Sequence, residues 1–158
     1  MTSTPQIQAH HINAITTAAT TIVQEHLGIA ASVSKPFVSG KQFVSSDISV
    51  VMGVNGTLEG QIICTMEEQS AFSIVGSMMG GMAIHELDDM GWSAIQEFGN
   101  WVAGKAASEL SNVEETINIS PPVINEGQST FRMEKTFLTI PLGSDIGEIY
   151  IHVSVTPG

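Results

Sequence analysis

Apolar residues alternate with other residues on both sides of Asn55-Gly56, and no other pattern restricts the fold as strongly. Ile48, Val50, Met52 and Val54 precede the dipeptide, while Leu58, Ile62, Cys64 and Met66 share one parity after it. Successive side chains of a strand point to opposite faces, so a period of two predicts strands with one buried face. Asn-Gly tolerates the positive φ angles of a type I′ turn, which predicts that these strands form an antiparallel hairpin. A sheet with one apolar face needs a second layer to cover it.

That layer is predicted to be helical. Thr4-Pro5, a cap residue followed by proline at the first helical position, opens a helix that places Ile15, Ala19, Ile22 and Val23 on one face and ends at Gly28. Thr65-Met66-Glu67-Glu68 has capping-box spacing and predicts a second helix running to Met79, stopped by Gly80-Gly81. Glu86, Asp88 and Asp89 suit the opening turn of a third, longer helix, where carboxylates complement the positive end of the dipole; it extends to about Asn112. Residues 31–38 predict a short strand before the hairpin, and Thr116–Ile124, Ser129–Pro141 and Gly147–Thr156 predict three more. The order is helix, three strands, two helices, three strands. It defines an α+β fold, a largely antiparallel sheet packed against a long N-terminal helix and two central helices, as a single domain over residues 1–158.

Composition narrows the function. Hydrophobic content of 42% supplies a core, and 16 acidic against 5 basic residues leave a net charge of −11. Such a charge repels phosphate backbones and anionic lipid surfaces, so neither nucleic acid nor membrane is an expected partner. No stretch approaches the roughly 20 apolar residues of a membrane span, and no basic segment leads into an apolar one at the N-terminus. Cys64 is the sole cysteine, which suits a reducing compartment and makes the cytoplasm the expected location.

The third helix carries the candidate chemistry. Ile95, Phe98, Val102, Ala106 and Leu110 recur at helical spacing and predict its buried stripe. Ser93, Glu97, Asn100 and Gly104 fall on the other side, forming a ridge of a hydroxyl, a carboxylate, an amide and bare backbone. Glycine inside a helix costs about 1 kcal/mol relative to alanine, yet Gly99 and Gly104 flank Asn100, as if a partner approached closely. A Glu and an Asn on an exposed helix face are most often only solvated, and two glycines can serve helix packing alone. Spacing leaves both readings open.

The run Ser93-x-x-x-Glu97-x-x-Asn100, followed downstream by Pro121-Pro122, resembles the active-site signature of the CheC/CheX/FliY chemotaxis phosphatase family. In that signature an Asp or Ser precedes Glu and Asn on one helix, and a proline follows. Phe43-Val44-Ser45-Ser46-Asp47-Ile48-Ser49-Val50-Val51, Met78-Met79-Gly80-Gly81-Met82, Ile119-Ser120-Pro121-Pro122, and Ile140-Pro141-Leu142 through Ile146-Gly147-Glu148-Ile149 resemble segments of its CheX branch in the same order. CheC-like members carry the motif on two helices, whereas the first helix here has no Glu three residues before Asn13, so the resemblance is to the one-site branch.

The resemblance implies a CheC/CheX-like fold, a homodimer joined through its sheets, and a phosphorylated CheY-type receiver domain as partner. It implies that Asn100 and Glu97 are the catalytic pair. Asn100 holds a water in line with the phosphorus of the receiver's phospho-aspartate, and Glu97 docks against the receiver's lysine. Ser93 is expected to be a partner contact or a helix-capping residue and not a chemical participant, and the bare backbone at Gly104 on the same ridge is expected to border the partner. No cofactor or metal is expected in this chain, because Mg²⁺ would sit on the receiver's own carboxylates.

Other groups read as structural. Trp101 suits core or dimer packing slightly better than receiver contact, and Met78, Met79 and Met82 suit irregular core space. His85-Glu86-Leu87-Asp88-Asp89 lacks the second histidine of a zinc-protease helix, His10-His11 cannot share a helical face, and both are expected to be solvated. Cys64 has no cation near it in sequence and reads as an inert core thiol. Two competing functions stay open: a non-catalytic receiver- or flagellar-switch-binding module of the same fold, and a small-molecule sensor using a groove between sheet and helices.

Overall fold

A computed structural model describes residues 8–111 and 116–157. The expected helix start at Thr4-Pro5 and helix end at Asn112 lie outside the described residues. Helix α1 spans Ala9–Thr21 and continues through a wider, π-helical turn at Ile22–His26. Strands β1 (Ala31–Val33), β2 (Phe37–Val44), β3 (Ile48–Gly56) and β4 (Leu58–Met66) follow, then α2 (Glu68–Met78) and α3 (Asp89–Ser111). Strands β5 (Ile117–Ile119), β6 (Val123–Glu126), β7 (Thr130–Ser144) and β8 (Gly147–Pro157) complete the chain.

The eight strands form one antiparallel sheet in the order β1-β7-β8-β4-β3-β5, with β2 also pairing with β7 and β6 with β3. Exchanging α1 with α3 and β1, β2, β3, β4 with β5, β6, β7, β8 reproduces every strand pairing. The fold is thus two similar halves joined at the β4–β8 pair, with α2 between them in the chain and α1 against α3. The even-numbered apolar residues of β3 and β4 and Ile149, Ile151, Val153 and Val155 of β8 are buried beneath the helices, as the alternation requires.

Proline accounts for two departures from the expected strands. The segment 31–38 is not one strand: β1 ends at Val33, and β2 begins only after Lys35-Pro36 and runs on to Val44. Residues 116–124 likewise split into β5 and β6 around Ser120-Pro121-Pro122. Proline has no N–H to give a ladder, so each break lets one long strand, β7 or β3, pair with two short ones along the same edge. The edge strand β2 was absent from the sequence reading because Gly40, Lys41 and Gln42 dilute its alternation.

Long-range contacts alter three local details. The last paired residues of the β3–β4 hairpin are Val54 and Gly60, so its reversal is wider than a two-residue turn at Asn55-Gly56. Asn55 and Gly56 pair instead with Asn118 and Ile117 of β5, and a Cβ on Gly56 (φ 118°) would collide with the Thr116 carbonyl oxygen. The capping box at Thr65 does not form, since β4 extends through Met66 and the Thr65 Oγ1 accepts the Ser46 N–H at 2.8 Å. Asp47 caps α2 from across the sheet, its Oδ2 accepting the Glu68 N–H at 2.9 Å. At α3 the Asp88 Oδ1 accepts the Gly91 N–H at 2.8 Å and Asp89 lies in the first turn, which leaves Glu86 ahead of the helix. The expected glycine stop of α2 holds: Gly80 and Gly81 have φ of 74° and 90°, and the Gly81 N–H reaches the Gly76 carbonyl at 2.8 Å.

Part of the far face of the sheet, around Ile63, Thr139, His152 and Ser154, is buried as well. Phe43 of β2 stacks on the His152 ring at 3.6 Å, and Phe137 meets Phe43 edge-on at 4.9 Å. The His152 Nδ1 shares a 2.7 Å hydrogen bond with the Thr139 hydroxyl, which donates onward to Ser39 Oγ at 2.8 Å. This second core holds the curled β2–β7 arm over the sheet.

Candidate functional site

Helix α3 buries Gly91, Ile95, Phe98, Gly99, Val102, Ala103, Ala106 and Leu110, which contains the whole expected stripe. Ser93, Glu97, Asn100 and Gly104 are all exposed and share the opposite side. Among the described residues, the Glu97 carboxylate and the Asn100 amide have no hydrogen-bond or ion-pair partner of their own, so both are available to a visiting molecule.

The two glycines beside Asn100 have different surroundings. Gly104 is open, with nothing within 4 Å of a Cβ built on it. Gly99, by contrast, faces the sheet: a Cβ there would lie 2.8 Å from Val50 Cγ1 and 2.9 Å from Pro122 Cγ. Its role is therefore to let α3 lie close on β3 and the β5–β6 connection, not to receive a partner. This contact positions the ridge, because Gly99 adjoins Asn100 in the chain.

Each flank of the ridge is tied to a different element. Gln96 donates from Nε2 to the Pro122 carbonyl at 2.6 Å, joining α3 to the β5–β6 connection. That connection is pinned to β3, with the Ser120 N–H on the Gly53 carbonyl at 2.9 Å and the Gly53 N–H on Ser120 Oγ at 2.8 Å. On the other flank Trp101 is half-buried against the core, and its ring lies 5.4 Å from that of His26 in the π-helical turn. Sequence reasoning missed Gln96 and His26. Gln96 lies one turn before Asn100, the only local hint of its place, whereas nothing local links it to Pro122 or His26 to Trp101.

The other singled-out residues divide. Met78 and Met79 pack on the core, but Met82 is 62% exposed because it lies beyond the glycine stop. His85 is exposed, whereas His11 is only 3% exposed and its Nδ1 accepts the Gln8 N–H at 3.1 Å, so His10-His11 is not simply solvated. Cys64 is buried, and desolvation pushes its thiol up to about 12, which keeps it protonated and unreactive. Burial pushes the His152 imidazole down to about 4.

Two clefts lie away from the ridge residues. One of about 280 Å³ is lined by Asp47, Glu68, His85, Glu86, Trp92 and Glu126 among others, and one of about 330 Å³ runs along α2 past Phe72, Ser73 and Met82. The carboxylates of the first and the hydroxyls of the second make neither the apolar groove expected of a small-molecule sensor. Among the described residues no group of three or more His, Cys, Asp or Glu side chains is placed to hold a metal ion, and no helix is long and apolar enough to cross a membrane.

A curled antiparallel sheet covered by helices on one face is an architecture already known from other chains. This chain belongs to the family of the chemotaxis phosphatase CheX, whose pattern matches residues 48–142. The CheY-P phosphatase CheX of Thermotoga maritima is 29% identical over 154 residues, covering 96% of this chain and 99% of that protein. The crystal structure of a chemotaxis protein CheX from Desulfovibrio desulfuricans has a TM-score of 0.81 at 23% identity, covering 94% of this chain and 99% of that one. A chain of the CheX–CheY–BeF3–Mg²⁺ complex from Borrelia burgdorferi has a TM-score of 0.76 at 23% identity, covering 92% and 97% respectively. The expected CheC/CheX-like α+β architecture is therefore the observed one.

Proposed function

We propose that this chain hydrolyses the phosphoryl group on the receiver aspartate of a CheY-type response regulator, with the α3 ridge as its working surface. The observation that carries this reading is the pairing of an exposed carboxylate with an exposed amide three residues apart, both without a partner among the described residues, on a helix whose buried side is locked to the sheet. The family and the CheX–CheY complex from Borrelia burgdorferi support it.

An aspartyl phosphate is a reactive acyl phosphate, so the catalyst needs neither a strong base nor a covalent nucleophile. It needs to hold water in line. The Asn100 amide both donates and accepts hydrogen bonds, which lets it orient a water while adding no negative charge beside the phosphoryl oxygens. Glu97, one turn away, pairs with the receiver's lysine and sets the register of docking. Ser93 and Gly104 extend the contact along the ridge, and the open backbone at Gly104 permits close approach. Mg²⁺ belongs to the receiver in this scheme and supplies charge neutralisation at the phosphoryl group.

The same reading makes the chain a cytoplasmic homodimer joined through its sheets, and Phe37 and Val38 of β2, 49% and 63% exposed, offer apolar surface for that contact. The deciding experiment follows the decay of a phosphorylated CheY-type receiver with wild-type protein and with Asn100→Ala. Faster decay with wild type and none with the variant is the expected result. A variant as active as wild type overturns the assignment, and binding without any acceleration by wild type favours the non-catalytic docking module instead.

A further inference from the structure

The β5–β6 connection is held against α3 more firmly than a loop needs for its own order. Pro122 has no N–H, so its carbonyl is its only backbone hydrogen-bonding group, and Gln96 of α3 takes it at 2.6 Å. The same proline presses on Gly99, and Ser120 is fastened to both backbone groups of Gly53. The connection is therefore clamped between β3 and the helix. Pro121 of the connection and Val123, the first residue of β6, are exposed, Val123 to 66%.

Helical spacing gives that clamp a direction. Gln96 and Asn100 are four residues apart and share one flank of α3, the flank toward Pro122, whereas Glu97 and Trp101 share the flank toward His26. A shift of α3 against β5–β6 therefore moves the Asn100 amide relative to Pro121 and Val123, which a docked molecule meets on the same side. Displacing a group that must align water by about 1 Å costs on the order of a hundredfold in rate.

We propose that Gln96 is a positioning residue, whose bond to the Pro122 carbonyl sets where α3 presents the Asn100 amide to the phosphorylated receiver. This rests on the phosphatase reading of the ridge. Gln96 touches neither water nor phosphate in this role, so it governs turnover and not affinity.

The test uses the full chain and a phosphorylated CheY-type receiver, with a receiver loaded with Mg²⁺ and beryllofluoride as the binding probe. Gln96→Met keeps the length of the side chain and removes its donors; the expected result is a kcat about tenfold lower with KM and probe affinity within about twofold of wild type. Gln96→Glu sets a carboxylate against the carbonyl when ionised and regains a donor when protonated. Its kcat, divided by that of wild type at each pH, should rise as pH falls from about 7 to about 4, through the ordinary carboxyl range, a profile that a packing role does not produce. A flat ratio, or full kcat in Gln96→Met, overturns the proposal while Asn100→Ala stays inactive. An active Asn100→Ala variant instead removes the phosphatase reading beneath it, so the two failures are separable.

Discussion

Helices α1 and α3 hold corresponding places in two halves built to one pairing scheme, yet only α3 carries a glutamate three residues before its exposed asparagine. In α1 the residue three before Asn13 is His10, and its neighbour His11 is buried. The halves differ in seating too. Helix α3 meets β3 through Gly99, where no Cβ intervenes, while α1 meets the core through Ala14, Ile15 and Ala19. A shared backbone plan thus does not carry a shared site. The plan supplies two exposed helix faces, and the side chains set on them differ.

The sharpest way to break this comparison is to truncate the two asparagines in parallel. Asn100→Ala should slow dephosphorylation of a saturating phospho-receiver by about two orders of magnitude or more, and Asn13→Ala should leave it within about twofold, read by single-turnover decay. Equal losses would mean that both halves work. Next in size, Glu97→Lys should raise KM about tenfold or more by setting a cation against the receiver's lysine, with a smaller effect on turnover once the complex is forced by excess receiver. Loss of kcat at unchanged KM would move Glu97 from docking into the chemical step.

Stability sharpens the contrast between buried and open positions on α3. Gly99→Val should destabilise the fold by roughly 1–3 kcal/mol, because new atoms meet Val50 and Pro122, and the midpoint of thermal unfolding should fall accordingly. Gly104→Ala should do the opposite, gaining up to about 1 kcal/mol, since its Cβ enters open space and glycine is a poor helix former. The smallest effect concerns the meeting of the two halves, where His152 of β8 pairs with Ile63 of β4 and stacks on Phe43 of β2. His152 is neutral in the fold down to about 4, below its ordinary 6.5, so the unfolded chain binds the extra proton between those values. Its stabilising contribution is full above about pH 6.5 and declines as pH falls toward 4, and His152→Phe should flatten the denaturant midpoint against pH over that window.

Much of this was legible in the residues. Alternation in β3, β4 and β8 and the stripe Ile95, Phe98, Val102, Ala106, Leu110 each depend on neighbours a few positions apart, and burial bears them out. The exposure of Ser93, Glu97, Asn100 and Gly104 follows from the same periodicity. What escaped depends on partners distant in the chain: Asp47 replacing Thr65 as the cap of α2, β5 claiming Asn55 and Gly56, and Gln96 reaching Pro122. Gly99 is the clearest case. Helical spacing sets it on the side of Ile95 and Val102 and sets Gly104 on the side of Asn100, but only the contact with Val50 and Pro122 shows that it seats the helix.

The sequence alone determined which residues of β3, β4 and β8 face the helices and which residues of α3 face inward and outward, because a repeat of two or of about 3.6 residues is a property of the local backbone. Tertiary structure decided where the edges of the sheet break, which glycine seats the ridge, and what holds each of its flanks. Those outcomes depend on hydrogen bonds and close contacts between elements whose meeting no local pattern encodes.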